Sequence, residues 1–128
     1  MKLLLDTHVL VWMTSESRRL STAARKILGD PANVPVFSVA SIWEVAIKVA
    51  LRRDNFKVDA RQVRRTLLDN DFEELPVRGE HAIAVSELPA IHADPFDRLL
   101  IAQALVEGIT LLTSDATVAR YPGPIRKV

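Results

Sequence analysis

The sequence predicts an α/β fold: a central parallel sheet of four to five strands with helices on both faces. Three observations carry that expectation. Short apolar runs alternate with segments of helical period along the whole chain. The first run, Lys2-Leu3-Leu4-Leu5, sets three leucines side by side, which suits a strand covered on both faces. Later, Asp94-Pro95 and Gly108 bracket one segment with the start and stop signals of a helix: an acidic cap, proline at the first turn and a closing glycine.

In order, Lys2 to Leu5 is the first strand and Val9 to Met13 opens a helix, with Trp12 as packing. Thr14 to Ser21 is polar and expected as a loop. Leu20 to Leu28 has helical spacing, with Ser21 as its cap and Gly29-Asp30-Pro31 as its end. Val34 to Val39 is the second strand, with Pro35 near its start. The helix that follows from Ser41 to Leu51 is apolar nearly all round, so it is expected to be mostly buried. Arg52 to Asn55 closes it. Asp59 caps a basic amphipathic helix to about Asp69, with Val63, Leu67 and Leu68 on its apolar side. Phe72 to Val77 is a short strand near an edge, and His81 to Leu88 a helix. After the Asp94 helix, Ile109 to Thr113 is the last clear strand, and the tail adds a turn and an edge strand.

A chain of 128 residues is most simply one domain, here residues 1–128. It has no cysteine, which excludes disulfides and thiolate metal sites and fits a reducing compartment. The apolar start is too short for a signal peptide, and no run approaches a membrane span, so a cytoplasmic protein is expected. Net charge is only +1, but Arg18 to Arg65 carries eleven basic and four acidic residues, whereas Thr66 onward carries five and ten. That asymmetry suits either solvated helix faces or one side turned to a polyanion. No phosphate-binding glycine loop and no Gly-x-Ser-x-Gly elbow is present.

Four acids stand out by position. Asp6 and Asp115 each follow an apolar strand, and Glu44 and Asp97 each fall in the first turn of a helix. In a parallel sheet these points share one rim. Each acid also has a plainer reading. Ser41-x-x-Glu44 matches a capping box, Glu44 can pair with Lys48 one turn on, and Asp97 favours the helix dipole. Taken together, four converging carboxylates repel one another unless they take up protons or bind cations. Oxygen donors without cysteine or a histidine pair point to Mg²⁺ or Mn²⁺. Such ions activate water and clamp phosphodiesters, and the basic half would hold a nucleic-acid backbone. Arg18, Arg19, Arg52, Arg53 and Lys57 are the candidates for that contact. His8 and His92 lie near the same rim, where a lone histidine is more often structural. Thr7 and Ser114, and less readily Thr113, are placed to orient ligands or waters.

Four blocks carry a family likeness: Leu4-Leu5-Asp6-Thr7-His8 through Trp12, Ser41-Ile42-Trp43-Glu44 through Lys48, His92-Ala93-Asp94-Pro95-Phe96-Asp97-Arg98 through Ala104, and Leu111-Leu112-Thr113-Ser114-Asp115. In this order and spacing the chain resembles PIN-domain ribonucleases, and within them the VapC toxins of type II toxin–antitoxin systems. The resemblance implies a three-layer α/β/α sandwich. It implies a metal-dependent endoribonuclease, cutting transfer or ribosomal RNA, with Mg²⁺ or Mn²⁺ held by Asp6, Glu44, Asp97 and Asp115. The fourth acid is the most variable in the family, and Asp94 adds a carboxylate behind the ligands. The expected partners are a small DNA-binding antitoxin, a VapB-like protein or another kind, and a second copy of the chain. Two other readings remain open: a PIN-like protein that has lost catalysis and acts through its antitoxin complex, and a receiver-like phospho-acceptor domain. Against the receiver, Asp6 has no acidic neighbour, and Ser114-Asp115 rather than lysine follows the last strand.

Overall fold

In the computed structural model, which describes residues 1–51 and 58–128, the sheet is built from β1 (Lys2–Leu5), β2 (Val34–Ser38), β3 (Glu73–Leu75), β4 (Thr110–Thr113) and β5 (Ile125–Lys127). All pairings are parallel, in the order β3-β2-β1-β4-β5. The helices are α1 (Thr7–Ser15), α2 (Thr22–Leu28), α3 (Val39–Ala50), α4 (Ala60–Asp69), α5 (Gly79–Val85) and α6 (Pro95–Glu107).

The three leucines of β1 explain its central place. Each is fully buried, and successive side chains go to opposite faces. Leu5 packs with Val9, Leu10, Phe37, Val45 and Leu67, under α1, α3 and α4. Leu3 lies with Ile27 and Leu112. Leu4 packs with Leu100, Ile101, Ala104 and Leu111, under α6. Helices therefore cover both faces. Among the described residues no helix is long and apolar enough to cross a membrane.

The strand order matters for the site. From β1 the chain steps outward to β2 and β3, then returns to the other side of β1 for β4 and β5. The carboxyl ends of β1 and β4 thus flank the point where winding reverses, where open α/β sheets leave a crevice.

Several elements depart from the sequence expectations. Helix α3 starts at Val39, capped by Ser38, whose side chain accepts from the Ala40 N–H. Ser41 is therefore inside the helix, the capping box does not form, and Glu44 lies beyond the first turn. The strand simply runs straight into its helix, so the serine at the strand end takes the cap. Nor is α3 mostly buried: Ala40, Ser41, Glu44 and Val45 face the core, while Val39 and Trp43 stand out in solvent. Leu68 is 40% exposed, since Val63 and Leu67 already fill the side of α4 that meets the core. The expected loop before α2 holds a 3₁₀ turn at Ser17–Arg19. Helix α5 begins two residues before His81, because the Arg78 N–H is capped by the imidazole Nδ1 at 2.9 Å, and it ends at Val85 rather than Leu88. The expected helix end at 52–55 lies outside the described residues, as do Arg52, Arg53 and Lys57.

Candidate active site

Asp6 is the first side chain past β1. It is 3% exposed and caps α1, accepting from the Val9 N–H at 2.9 Å. Its other oxygen accepts from the Thr113 hydroxyl at the end of β4. Thr113 Oγ1 in turn accepts from the Asp115 N–H at 3.0 Å. One hydroxyl thus ties the acid after β1 to the acid after β4, across the switch point. Asp115 itself is folded into a turn, its carboxylate accepting from the Thr117 N–H at 2.7 Å.

Glu44 reaches the same place from α3 and is 1% exposed. The Thr7 hydroxyl donates to Oε1 at 2.6 Å and lies 3.0 Å from Ser41 Oγ. Lys48, one turn on, meets Oε2 at 2.7 Å, so the pairing expected from the spacing is present. A carboxylate this deep needs such partners, because desolvation alone would neutralise it. Asp97 comes from the first turn of α6, where Asp94 caps the helix by accepting from the Phe96 and Asp97 N–H groups. Asp94 therefore acts first as a helix cap. Ser114 offers its backbone N–H to Asp6.

His92 completes the cluster. Its Nε2 lies 2.9 Å from Asp97 Oδ2 and 3.7 Å from Asp115 Oδ2. The nitrogen is buried, yet its approach to Asp97 lacks hydrogen-bond geometry. The loop holding it is pinned from the other side: the His92 N–H donates to the Tyr121 hydroxyl at 2.7 Å, and Arg98 donates to the same oxygen at 3.1 Å. One ligand atom each from His92, Asp97 and Asp115 fall within 4.8 Å of one another, a span one cation can bridge. His8 lies against Trp12, ring centroids 5.9 Å apart, and is near enough to Asp6 to favour its charged form.

Charge is the decisive property here. Burial pushes the Asp97 carboxyl up to about 7, and the neighbouring Asp94, Glu44 and Asp6 add to the rise against the pull of His92. Burial also raises Asp6, more than its bonds from Thr113 and Val9 lower it. The cluster holds more negative charge than its own cations balance. Its oxygen-rich donors suit a hard divalent cation. Arg19 shares a cleft of about 90 Å³ with Ser114, which brings one of the predicted basic contacts to this end of the sheet.

Comparison with known proteins bears on this arrangement. Residues 3–124 match the family model of the PIN domain. The chain belongs to the PIN-domain family. This PIN domain is 28% identical to ribonuclease VapC22 of Mycobacterium tuberculosis over 124 residues, 95% of each chain. Its fold resembles that of the VapBC2 complex of Rickettsia felis bound to promoter DNA, at a TM-score of 0.75, 17% identity and coverage of 100% and 99% of the two chains. It also resembles a toxin–antitoxin complex of Klebsiella pneumoniae, at 0.63, 17% identity and coverage of 98% and 99%.

Sequence reasoning missed three features of the site. His92 looked like an isolated histidine, and only the fold sets it between two acids. Lys48 was expected to pair with Glu44, and what the spacing did not show is that the pair is buried, which makes Lys48 the counter-charge of Glu44 at depth. Thr113 ranked below Thr7 and Ser114, yet it links Asp6 to Asp115. The one available signal was its place as the last residue of a strand, two before an acid.

Proposed function

We propose that this PIN domain is a metal-dependent endoribonuclease, the toxin of a type II toxin–antitoxin pair, which hydrolyses phosphodiester bonds in transfer or ribosomal RNA. The observation that carries the proposal is the meeting of Asp6, Glu44 and Asp97 in one shared field, with His92 lying between Asp97 and Asp115, at the switch point between β1 and β4. The likeness to a named ribonuclease and to toxin–antitoxin complexes supports the same reading.

Asp6, Asp97 and Asp115 would hold Mg²⁺ or Mn²⁺, with His92 beside them and Glu44 completing the charge. When bound, the ion supplies an activated water and offsets charge developing on the phosphate. The rest is the work of the chain. Thr113 fixes the Asp6 carboxylate and the backbone at Asp115 with one hydroxyl. Thr7 and Lys48 occupy both oxygens of Glu44, the partners a buried carboxylate needs. The anchoring of His92 through Tyr121 and Arg98 holds that loop against the acids. The partners are an RNA substrate, a small antitoxin of the VapB kind and a second copy of the chain, in the cytoplasm.

The test is direct. Asp6→Asn and Asp97→Asn are expected to abolish RNA cleavage in Mg²⁺ or Mn²⁺, and growth inhibition on induction, while circular dichroism shows the fold retained. Cleavage at the parental rate by either variant would remove the metal site. Mapping RNA 5′ ends after brief induction would identify the target.

A further inference from the structure

We propose that Trp43 and Phe96 form a stacking platform for an unpaired nucleobase of the RNA substrate, beside the acids. The proposal rests on the ribonuclease reading and specifies how that substrate is held. Trp43 is 61% exposed, unusual for a side chain that folding mostly covers. It meets Phe96 edge to face, with ring centroids 5.2 Å apart and planes at 74°. That arrangement is favourable for aromatic pairs and fixes the orientation of the rings before any ligand arrives.

Position ties the pair to the site. Trp43 immediately precedes Glu44, and Phe96 immediately precedes Asp97. Consecutive helical residues point roughly 100° apart, so on α3 Glu44 turns into the core while Trp43, at the same level, turns out. Helices α3 and α6 pack together, and the two aromatics meet where they do. A nucleotide with its phosphate at the acids would carry its base outward past this pair.

The physics favours a base as occupant. The acids repel a polyanion, and an aromatic face beside them adds a grip on the base that does not depend on charge. Single-stranded RNA is commonly read by stacking splayed bases on aromatic side chains, and such stacking accepts any base. The exposed apolar surface continues along α3 to Val39, which makes a second copy of the chain the competing occupant.

The experiment uses the full chain in EDTA, so that RNA is bound but not cut. Trp12→Phe leaves Trp43 as the sole indole, and its fluorescence reports contact. Oligoadenylate is expected to quench it, and an abasic oligonucleotide of equal length is not. By anisotropy of labelled oligoadenylate, Trp43→Ala should weaken binding roughly five- to a hundredfold, as loss of one stacked base does. Trp43→Phe should recover most of that loss. Equal quenching by abasic RNA, or unchanged affinity in Trp43→Ala, would overturn the platform. If sedimentation instead showed Trp43→Ala splitting a dimer with RNA affinity unchanged, the face would be an interface between copies. In a parallel assay with Mg²⁺ or Mn²⁺, cleavage that depends on Asp97 but not on Trp43 would remove the platform alone, whereas absence of cleavage there together with absence of binding would remove the ribonuclease reading with it.

Discussion

Thr113 shows how one side chain can organise a charged site. Its hydroxyl hydrogen goes to Asp6 and its lone pair takes the Asp115 N–H, so the two strand ends flanking the crevice are held by a single oxygen. Thr113→Val keeps the shape and removes both bonds. Groups that orient metal ligands typically account for 10- to 100-fold in affinity. Thr113→Val is therefore expected to weaken Mn²⁺ binding by about that factor in titration calorimetry, with little change in the circular dichroism spectrum. Unchanged affinity would mean that Asp6 needs no help. Glu44 illustrates the complementary case. Its position suggested a helix cap, but Ser38 does the capping, and Glu44 instead sits 1% exposed between a hydroxyl and an ammonium.

At the scale of elements, the junction of α5 and α6 depends on one histidine. His81 is fully buried; Nδ1 accepts from the Arg78 N–H, and Nε2 lies 2.8 Å from Glu107. Since Nδ1 accepts, Nε2 is the nitrogen that carries the proton and donates. Glu107 stands in the last turn of α6, where an acid opposes the helix dipole, and this bond offsets the penalty. His81→Ala would leave a cavity, an uncapped N–H and a Glu107 carboxylate with only the longer Arg78 pairing at 3.7 Å. The expected cost is about 2–4 kcal/mol in urea unfolding. A loss below about 0.5 kcal/mol, the size of an ordinary surface substitution, would show that the helices dock without it. Periodicity placed a helix here but could not locate its start, because an imidazole acting as a cap has no sequence signature.

For the whole molecule, the acid cluster couples stability to pH and to cations. Asp97 binds its proton up to about 7 in the folded chain, against 3.8 for an unperturbed carboxyl. Between those values the folded state holds a proton that the unfolded state has released. Stability of the metal-free protein must therefore fall as pH rises through that interval. Two results are expected in thermal melts. The metal-free protein should melt higher at pH 5 than at pH 8, and Asp97→Asn should raise the pH 8 value by a few degrees, each kcal/mol being worth about 2–8 °C in a domain of this size. Mn²⁺ at pH 8 should stabilise the parent but not the variant. A metal-free parent that melts equally at both pH values would contradict the proposed strain.

By itself the sequence determined the layers and the list of acids. Alternating periods announce strands and helices locally, and three leucines in a row suit a strand with both faces covered. Because parallel strands end on one rim, even the neighbourhood of Asp6, Glu44, Asp97 and Asp115 followed from the order of elements. Only the tertiary structure decided what each acid touches. Thr113 lies 107 residues from Asp6, and no period encodes which side chains a crossover brings together; His92 lies one short loop from Asp97, and only the fold turns its ring back onto that acid. It also decided that α3 turns Trp43 outward. A helix that is apolar all round carries no record of which side the sheet will cover, so exposure there is settled by packing alone.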